Sequence, residues 1–263
     1  MKLSDTVLQA IDKVVGFLEQ SRSLLFITGA GISADSGLPT YRGVGGLYDV
    51  KTTEENMPIE ELLSGRFFHR NPAVSWKYLG QVERACRGAR FNRGHEVIAQ
   101  MEKHFERVWT LTQNVDGLHR QAGASNVIEI HGDLHHLQCM HCDFKQIVAD
   151  YTALTIPPPC PQCDALLRPD VVLFGEALPF DKVSQLYTEV ERGFDLIFSI
   201  GTTSVFPYIA EPVERAYRFG KPSVEINPGT SEVSQLVTVR LPVGAAQALD
   251  AIWRRYQERR TQE

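Results

Sequence analysis

No apolar run in this 263-residue chain approaches the ~20 residues that a membrane-spanning helix needs. A signal-peptide core is missing too: Asp5, Asp12 and Glu19 interrupt the N-terminal apolar pattern, where a leader has an uncharged central block. Basic charge is not in excess, because the net charge is −5, and a general electrostatic grip on nucleic acid is not expected. Internal repeats, low-complexity tails and long extensions are absent, so any partner-specific targeting would fall to the surface of the core. Cysteine is scarce and odd in number, five in all, which does not make a disulfide framework. These absences point to a cytoplasmic protein without membrane or direct nucleic-acid partners. What is present, 43% hydrophobic and 22% charged residues, fits a globular chain with a sizeable core and excludes disorder, collagen and small disulfide scaffolds.

Val7, Ile11, Val14, Val15 and Leu18 recur at helical spacing and predict an N-terminal helix. Buried strands are predicted over 23–28, 108–112, 127–130, 170–174, 194–200, 222–226 and 237–241, with helical patterns over 181–192, 208–219 and 245–259. Strands that are apolar throughout and alternate with helices predict an α/β fold, a parallel sheet covered by helices on both faces. Two stretches break the rhythm. Residues 49–90 turn from polar to aromatic, with Phe67, Phe68, Trp76 and Tyr78, and residues 135–169 hold two cysteine pairs and Pro157-Pro-Pro159. The expected division is a sheet domain of 1–48, 91–134 and 170–263, with 49–90 and 135–169 as the helical and metal-binding modules of a smaller one.

Cys139-x-x-Cys142 and Cys160-x-x-Cys163 stand seventeen residues apart. Each turn aims two sulfurs at one centre, and four thiolates close a tetrahedron without an open position, which predicts one structural Zn²⁺ per chain. The rival reading, a redox C-x-x-C, is weakened by the second pair. His141 reads as a solvent-facing bystander, and the lone Cys86 as an inert, partly buried thiol.

Polar groups gather after five predicted strands: Gly29-Ala-Gly-Ile-Ser33, Gln113-Asn-Val-Asp116, His131-Gly-Asp133, Gly201-Thr-Thr-Ser204 and Asn227. Ligands of open α/β sheets bind at the carboxyl ends of the strands. Any one such loop reads more readily as a turn or helix cap, but that reading loses ground when five share one rim. The glycine segment could bring backbone amides close to a pyrophosphate, or be a bare turn. It is not G-x-G-x-x-G, and no strand ending in an acid follows; Asp49 has the distance but lies in a polar stretch, which argues against an ordinary hydride-transfer dehydrogenase. His131 is a candidate general base because imidazole titrates near neutrality, whereas His119 reads as structural.

Together these segments resemble the sirtuin family of NAD-dependent protein-lysine deacylases. The matching motifs are Gly29-Ala-Gly-Ile-Ser33, Ser36-Gly-Leu-Pro-Thr-Tyr-Arg-Gly43, Gln113-Asn-Val-Asp116, His131-Gly132, the four cysteines, Val171-Val-Leu-Phe-Gly-Glu176, Gly201-Thr-Thr-Ser204 and Ile226-Asn227. They stand in the family's order over roughly residues 20–245. The resemblance implies a Rossmann-like NAD domain with a small domain made of a zinc ribbon and a helical module. It implies further that Gly29, Ala30, Gly31 and Ser33 lie along the cofactor, with Ala30 and Gly31 at the pyrophosphate, and that Tyr41 and Arg42 sit on a loop over it. Gln113 would hold the nicotinamide ribose. Asn114 and Asp116 would shape the nicotinamide pocket, with Asp116 taking the carboxamide, and Asn114 would share the catalytic centre with His131, the general base. Gly201, Thr202, Ser204 and Asn227 would bind phosphate and adenosine, and Val172, Phe174, Gly175 and Glu176 would pair with an extended acyl-lysine peptide.

In the implied reaction nicotinamide leaves, the acyl oxygen attacks the ribose, and a base activates a ribose hydroxyl that then attacks the acyl carbon. The products are free lysine, nicotinamide and O-acyl-ADP-ribose. One departure is Tyr41-Arg42 where the family usually has Phe-Arg. A second concerns the acyl group: family members that prefer succinyl or malonyl lysine carry Tyr-x-x-Arg after an Asn-Pro step, and here the two positions aligned from Asn71-Pro72 are Leu79 and Val82. Acetyl is therefore the expected group. Two other functions remain open: transfer of ADP-ribose to protein or water at the same site, and a non-catalytic NAD-binding interaction module.

Overall fold

The structure, a computed structural model, describes residues 3–40 and 53–262. In chain order its helices are α1 (Asp5–Glu19), α2 (Ala30–Ser33), α3 (Ile59–Leu62), α4 (Gly65–Arg70), α5 (Pro72–Cys86), α6 (Arg93–Glu102), α7 (Leu118–Gln121), α8 (Phe180–Arg192), α9 (Pro207–Arg218) and α10 (Ala245–Arg260). Its strands are β1 (Ser23–Thr28), β2 (Arg107–Thr112), β3 (Val127–Glu129), β4 (Gly132–Cys139), β5 (Lys145–Ile147), β6 (Leu167–Val171), β7 (Leu196–Ile200), β8 (Ser223–Ile226) and β9 (Val239–Leu241).

Local chemistry sets the ends of these elements. Ser4 caps α1 by accepting the Val7 N–H, and the five apolar residues of its predicted stripe are buried. Pro72 opens α5, where its missing N–H costs nothing. Asn92 and His95 form a reciprocal capping box at the start of α6.

Six parallel strands form one sheet in the order β3-β2-β1-β7-β8-β9. Counted within the sheet this is 3-2-1-4-5-6, the doubly wound dinucleotide-binding order, and the reversal of direction falls between β1 and β7. Helices α1, α6 and α10 cover one face around Phe26 and Phe198; α8 and α9 cover the other around Leu25, Ile27 and Ile197. The mixed α/β class and the two covered faces match the sequence reading.

The strand expected over 170–174 differs. It ends at Val171 and belongs to a separate antiparallel sheet, β5-β4-β6, rather than to the parallel one. Its burial alternates along Leu167–Val171, and Pro169 is tolerated because β6 is an edge strand. The apolar residues that follow enter a second core instead. There Phe68, Trp76 and Leu79 of the helical stretch meet Leu137, Tyr151 and Leu167 of the cysteine-bearing stretch and Leu173 just after it. The Trp76 indole donates to the Leu167 carbonyl at 3.1 Å, so its polar edge is satisfied inside that core.

Candidate active site

The rim is built where β1 and β7 end side by side. Gly29 N–H donates to Ile200 O at 3.0 Å and Gly31 N–H to Gly201 O at 2.9 Å. A Cβ on Gly31 would lie 2.5 Å from Gly201 Cα, and a Cβ on Gly201 equally close to Gly31 Cα. Gly201 also has φ +57°, a conformation that side chains resist. The glycine segment thus first serves backbone-to-backbone packing, and its Gly29 and Gly31 amides are engaged inside the protein.

Asn114 follows β2 and is buried. Its amide nitrogen donates to Gly29 O at 3.2 Å and to Ser33 Oγ at 3.1 Å. Ser33 Oγ donates in turn to Asp116 Oδ2 at 2.7 Å, and Asp116 Oδ1 accepts the Leu118 N–H at 3.1 Å. Burial pushes the Asp116 carboxyl above its ordinary range, opposed by the bonds from Ser33 and Leu118, while Asp133 and Glu129 push the same way as burial. A carboxylate has more lone pairs than these two bonds use, which suits it to receive a ligand amide. Ala30, Ser33, Leu38, Pro39, Cys86, Asn114 and Asp116 line a small cavity here. The Cys86 thiol is pushed up to about 12, first by burial and then by Asp116 and Glu83, so it stays protonated and inert at neutral pH.

A second lacework ties the ends of β2, β7 and β8. Gln113 Nε2 donates to Thr202 Oγ1 at 2.8 Å, which also accepts the Ser204 N–H at 3.1 Å. Asn227 Nδ2 donates to Thr202 O at 3.0 Å. Ser204 holds φ +55° and is buried.

His131 stands between β3 and β4. Gly132 beside it has φ +90°, and a Cβ there would lie 1.8 Å from Asp170 O, so only glycine lets the chain pass from His131 into β4. His131 Nδ1 lies 3.1 Å from Gln113 O. A carbonyl only accepts, so Nδ1 carries the proton and Nε2 bears the lone pair. Nε2 lies 2.7 Å from the Tyr208 hydroxyl. Burial lowers the His131 pKa, Lys182 adds to this, and the Gln113 carbonyl opposes it. His119, on α7, is fully enclosed: its Nε2 lies 2.9 Å from Thr28 Oγ1, its ring meets that of His95 edge-on, and burial holds it neutral. The structural reading of His119 therefore stands.

The segment after β6 adjoins this base. Val172 N–H donates to His131 O at 2.9 Å, and Phe174 exchanges backbone bonds with Leu63 and Gly65 at 3.0 Å. Gly175 has φ +79° and turns the chain, so residues 172–176 form a turn rather than a regular strand. The Glu176 carboxylate is held by Arg168 at 2.7 and 2.9 Å and by the Leu173 N–H at 2.9 Å, and its side chain fixes the turn. Tyr41 and Arg42 lie outside the described residues. Sequence reading missed Leu38, Pro39 and Cys86 in the cavity wall, and Phe206 and Tyr208 beside His131. The readable signal for the last was position: Pro207-Tyr208 opens a helix two residues after the Gly201–Ser204 loop.

Away from the rim, Cys139, Cys142, Cys160 and Cys163 bring their sulfurs within 4.8 Å of one another. Neighbouring pairs lie 3.5–3.6 Å apart, close to the ~3.8 Å edge of a tetrahedron with Zn–S bonds of ~2.3 Å. Backbone amides of His141 and Cys142 point at Cys139 Sγ, and that of Gln162 at Cys160 Sγ, as thiolate ligands require. His141 is exposed and lies outside the cluster. The residues fit a structural zinc.

Residues 29–207 match the family model described as the Sir2 family. The chain belongs to the Sir2 family. A relative described as NAD-dependent protein deacylase 2 of Pseudomonas aeruginosa is 48% identical over 234 residues, spanning 88% of this chain and 91% of the relative. A solved Sir2 homologue–NAD complex superposes with TM-score 0.83 at 34% identity, covering 94% of each chain. A Sir2 structure with a deacetylated p53 peptide and 3'-O-acetyl ADP-ribose has TM-score 0.83 at 26% identity, covering 93% of this chain and 98% of that one. This Sir2 chain carries the Rossmann-like sheet and the four-cysteine cluster together. Among its described residues no helix is long and apolar enough to cross a membrane.

Proposed function

We propose that this rim removes acyl groups from protein lysines at the expense of NAD, transferring the acyl group to ADP-ribose and releasing nicotinamide. The observation that carries the reading is His131, neutral and with its lone pair fixed at Nε2, within one hydrogen-bonded rim that also holds Gln113, Asn114 and Asp116. NAD would supply an electrophilic ribose carbon once its nicotinamide departs. Asn114 and Asp116 orient the carboxamide in the small cavity, and Gln113 holds the adjoining ribose. Thr202, Ser204 and Asn227 take the phosphate and adenosine portion, with Gly29, Ala30, Gly31 and Ser33 as the floor. His131 accepts the ribose hydroxyl proton. The acyl-lysine peptide lies along Val172, Phe174, Gly175 and Glu176, next to His131. The sheet domain of 1–48, 91–134 and 170–263 carries the cofactor; 49–90 and 135–169 make the small domain. A reducing cytoplasm suits four cysteines of a metal cluster that form no disulfide.

His131→Ala should preserve folding and NAD binding yet lower peptide deacylation by about 10²-fold or more. Formation of the ribose–acyl oxygen bond precedes the base step, so nicotinamide exchange should outlast product formation. Deacylation near the wild-type rate would move the base elsewhere. A binding module without catalysis would release no nicotinamide from NAD and acetyl-peptide, and ADP-ribosyl transfer would yield modified protein or free ADP-ribose instead of acyl-ADP-ribose.

The acyl group follows from the helical stretch. Leu79 and Val82 are buried in the second core and offer no charge, while Lys77 is bound by Glu54 and Glu55 at 2.7 and 2.8 Å. An acyl carboxylate leaving water there would lack its partner. On one matched peptide, kcat/KM for acetyl-lysine should exceed that for succinyl-lysine; equal or reversed values would require another cation, such as Arg66 or Arg70, in the pocket.

A further inference from the structure

His131 is clamped at both ring nitrogens. Nδ1 donates to the Gln113 carbonyl at 3.1 Å, and Nε2, the only basic position left, is covered by Tyr208 Oη at 2.7 Å. Tyr208 is in no position to swing freely. It sits in the first turn of α9, is half-buried, and stacks on Phe206 with ring centroids 5.5 Å apart and planes 14° from parallel. Phe206 in turn meets the His131 ring edge-on at 5.9 Å. Among the described residues, the Tyr208 oxygen is therefore the polar atom at hydrogen-bond distance from Nε2. That oxygen donates its one hydrogen to Nε2 and keeps two lone pairs, which take no donor among the described residues. Burial raises the phenol to about 12, so it holds its proton at neutral pH and is a donor in the resting enzyme.

We propose that Tyr208 is the relay that carries the ribose hydroxyl proton to His131. The proposal rests on His131 as general base. In the step, the ribose O–H bond breaks and its proton passes to Tyr208 Oη. The phenolic proton passes to His131 Nε2, and the ribose oxygen uses its freed electron pair to bond to the acyl carbon, whose C=N π bond to the lysine nitrogen opens so that this pair moves onto the nitrogen. Tyr208 ends neutral with a new proton, and His131 ends as the imidazolium. No oxidant, reductant or further reactant enters. Because the tyrosine is never required to ionise, its high pKa does not oppose the transfer.

Tyr208→Phe keeps the ring and the stack on Phe206 and removes only the hydroxyl. Deacylation of an acetyl-peptide should fall by about 10²-fold, the scale of a lost proton-transfer group. Nicotinamide exchange, which precedes the relay, should stay within about threefold, and so should KM for NAD. Turnover at or above wild type would overturn the relay and show that the hydroxyl merely covers the base. Parallel loss of exchange, deacylation and thermal stability would overturn it in favour of a packing role. His131→Ala measured alongside separates the two levels of the argument. If that variant turns over normally, the base assignment fails and the relay with it; if only Tyr208→Phe does, the relay alone fails.

Discussion

His131 shows how much of a residue's chemistry is set by its immediate neighbours. The carbonyl at Nδ1 selects one tautomer, and burial disfavours the charged ring. Lys182 acts in the same direction as burial. The sign of the pH dependence follows. The base must be neutral, and a pKa below the usual 6.5 keeps it neutral through pH 7 and into mild acid. We expect kcat/KM to be level around neutrality and to fall to half only below pH 6.5, because this limb reports the free enzyme's base. A half-point above pH 7 would mean that burial does not govern this group. His119 and His95 illustrate the opposite use of the same residue type: enclosed, neutral and edge-to-face, they pack rather than react.

At the scale of elements, the decisive contact joins the turn after β1 to the turn after β7. Two glycines meet there with no room for a Cβ on either, at the point where the sheet order reverses. That contact sets the spacing between the two halves of the rim, to which Gln113, Thr202 and Asn227 add their hydrogen bonds. Gly201→Ala should therefore be costly twice, through overpacking of about 1–3 kcal/mol and through its left-handed backbone. Chemical denaturation should show a lower midpoint, and NAD affinity should fall with it. An unchanged midpoint would mean that the two turns separate without penalty. The segment 172–176 is the converse case, an element that local sequence misrepresents. Its run of apolar residues reads as a strand, yet Gly175 turns it, and Arg168 with Glu176 pins it beside His131.

For the whole molecule, the four sulfurs lie far from any role in acyl transfer but close to the second core. Cys160 is buried within that core, and Cys139 and Cys142 pack against it. The strands flanking the cluster, β4 and β6, lead back toward His131 and residues 172–176. Metal and rim are thus coupled through a folded unit rather than through chemistry. One zinc per chain should be found by elemental analysis. Cys142→Ala should bind less metal, unfold at lower temperature and lose deacylation as the small unit loosens, since a structural zinc site contributes its binding energy to folding. Folded, active protein free of zinc would show that apolar packing around Trp76 and Tyr151 suffices.

The sequence by itself determined the local logic: that buried strands alternate with helices, which four cysteines share a centre, and which polar groups follow which strand. These are properties of neighbours in the chain, and period, spacing and turn chemistry express them directly. The α1 stripe and the Cys139–Cys163 cluster were legible for that reason. Only the tertiary structure decided that Gly31 and Gly201 touch, that β6 leaves the parallel sheet, and that Tyr208 rests on His131 from 77 residues away. Each of these is a meeting of distant segments. Such meetings are chosen by burial and excluded volume across the whole fold, and no local pattern of residue types records which distant group will fill a given space.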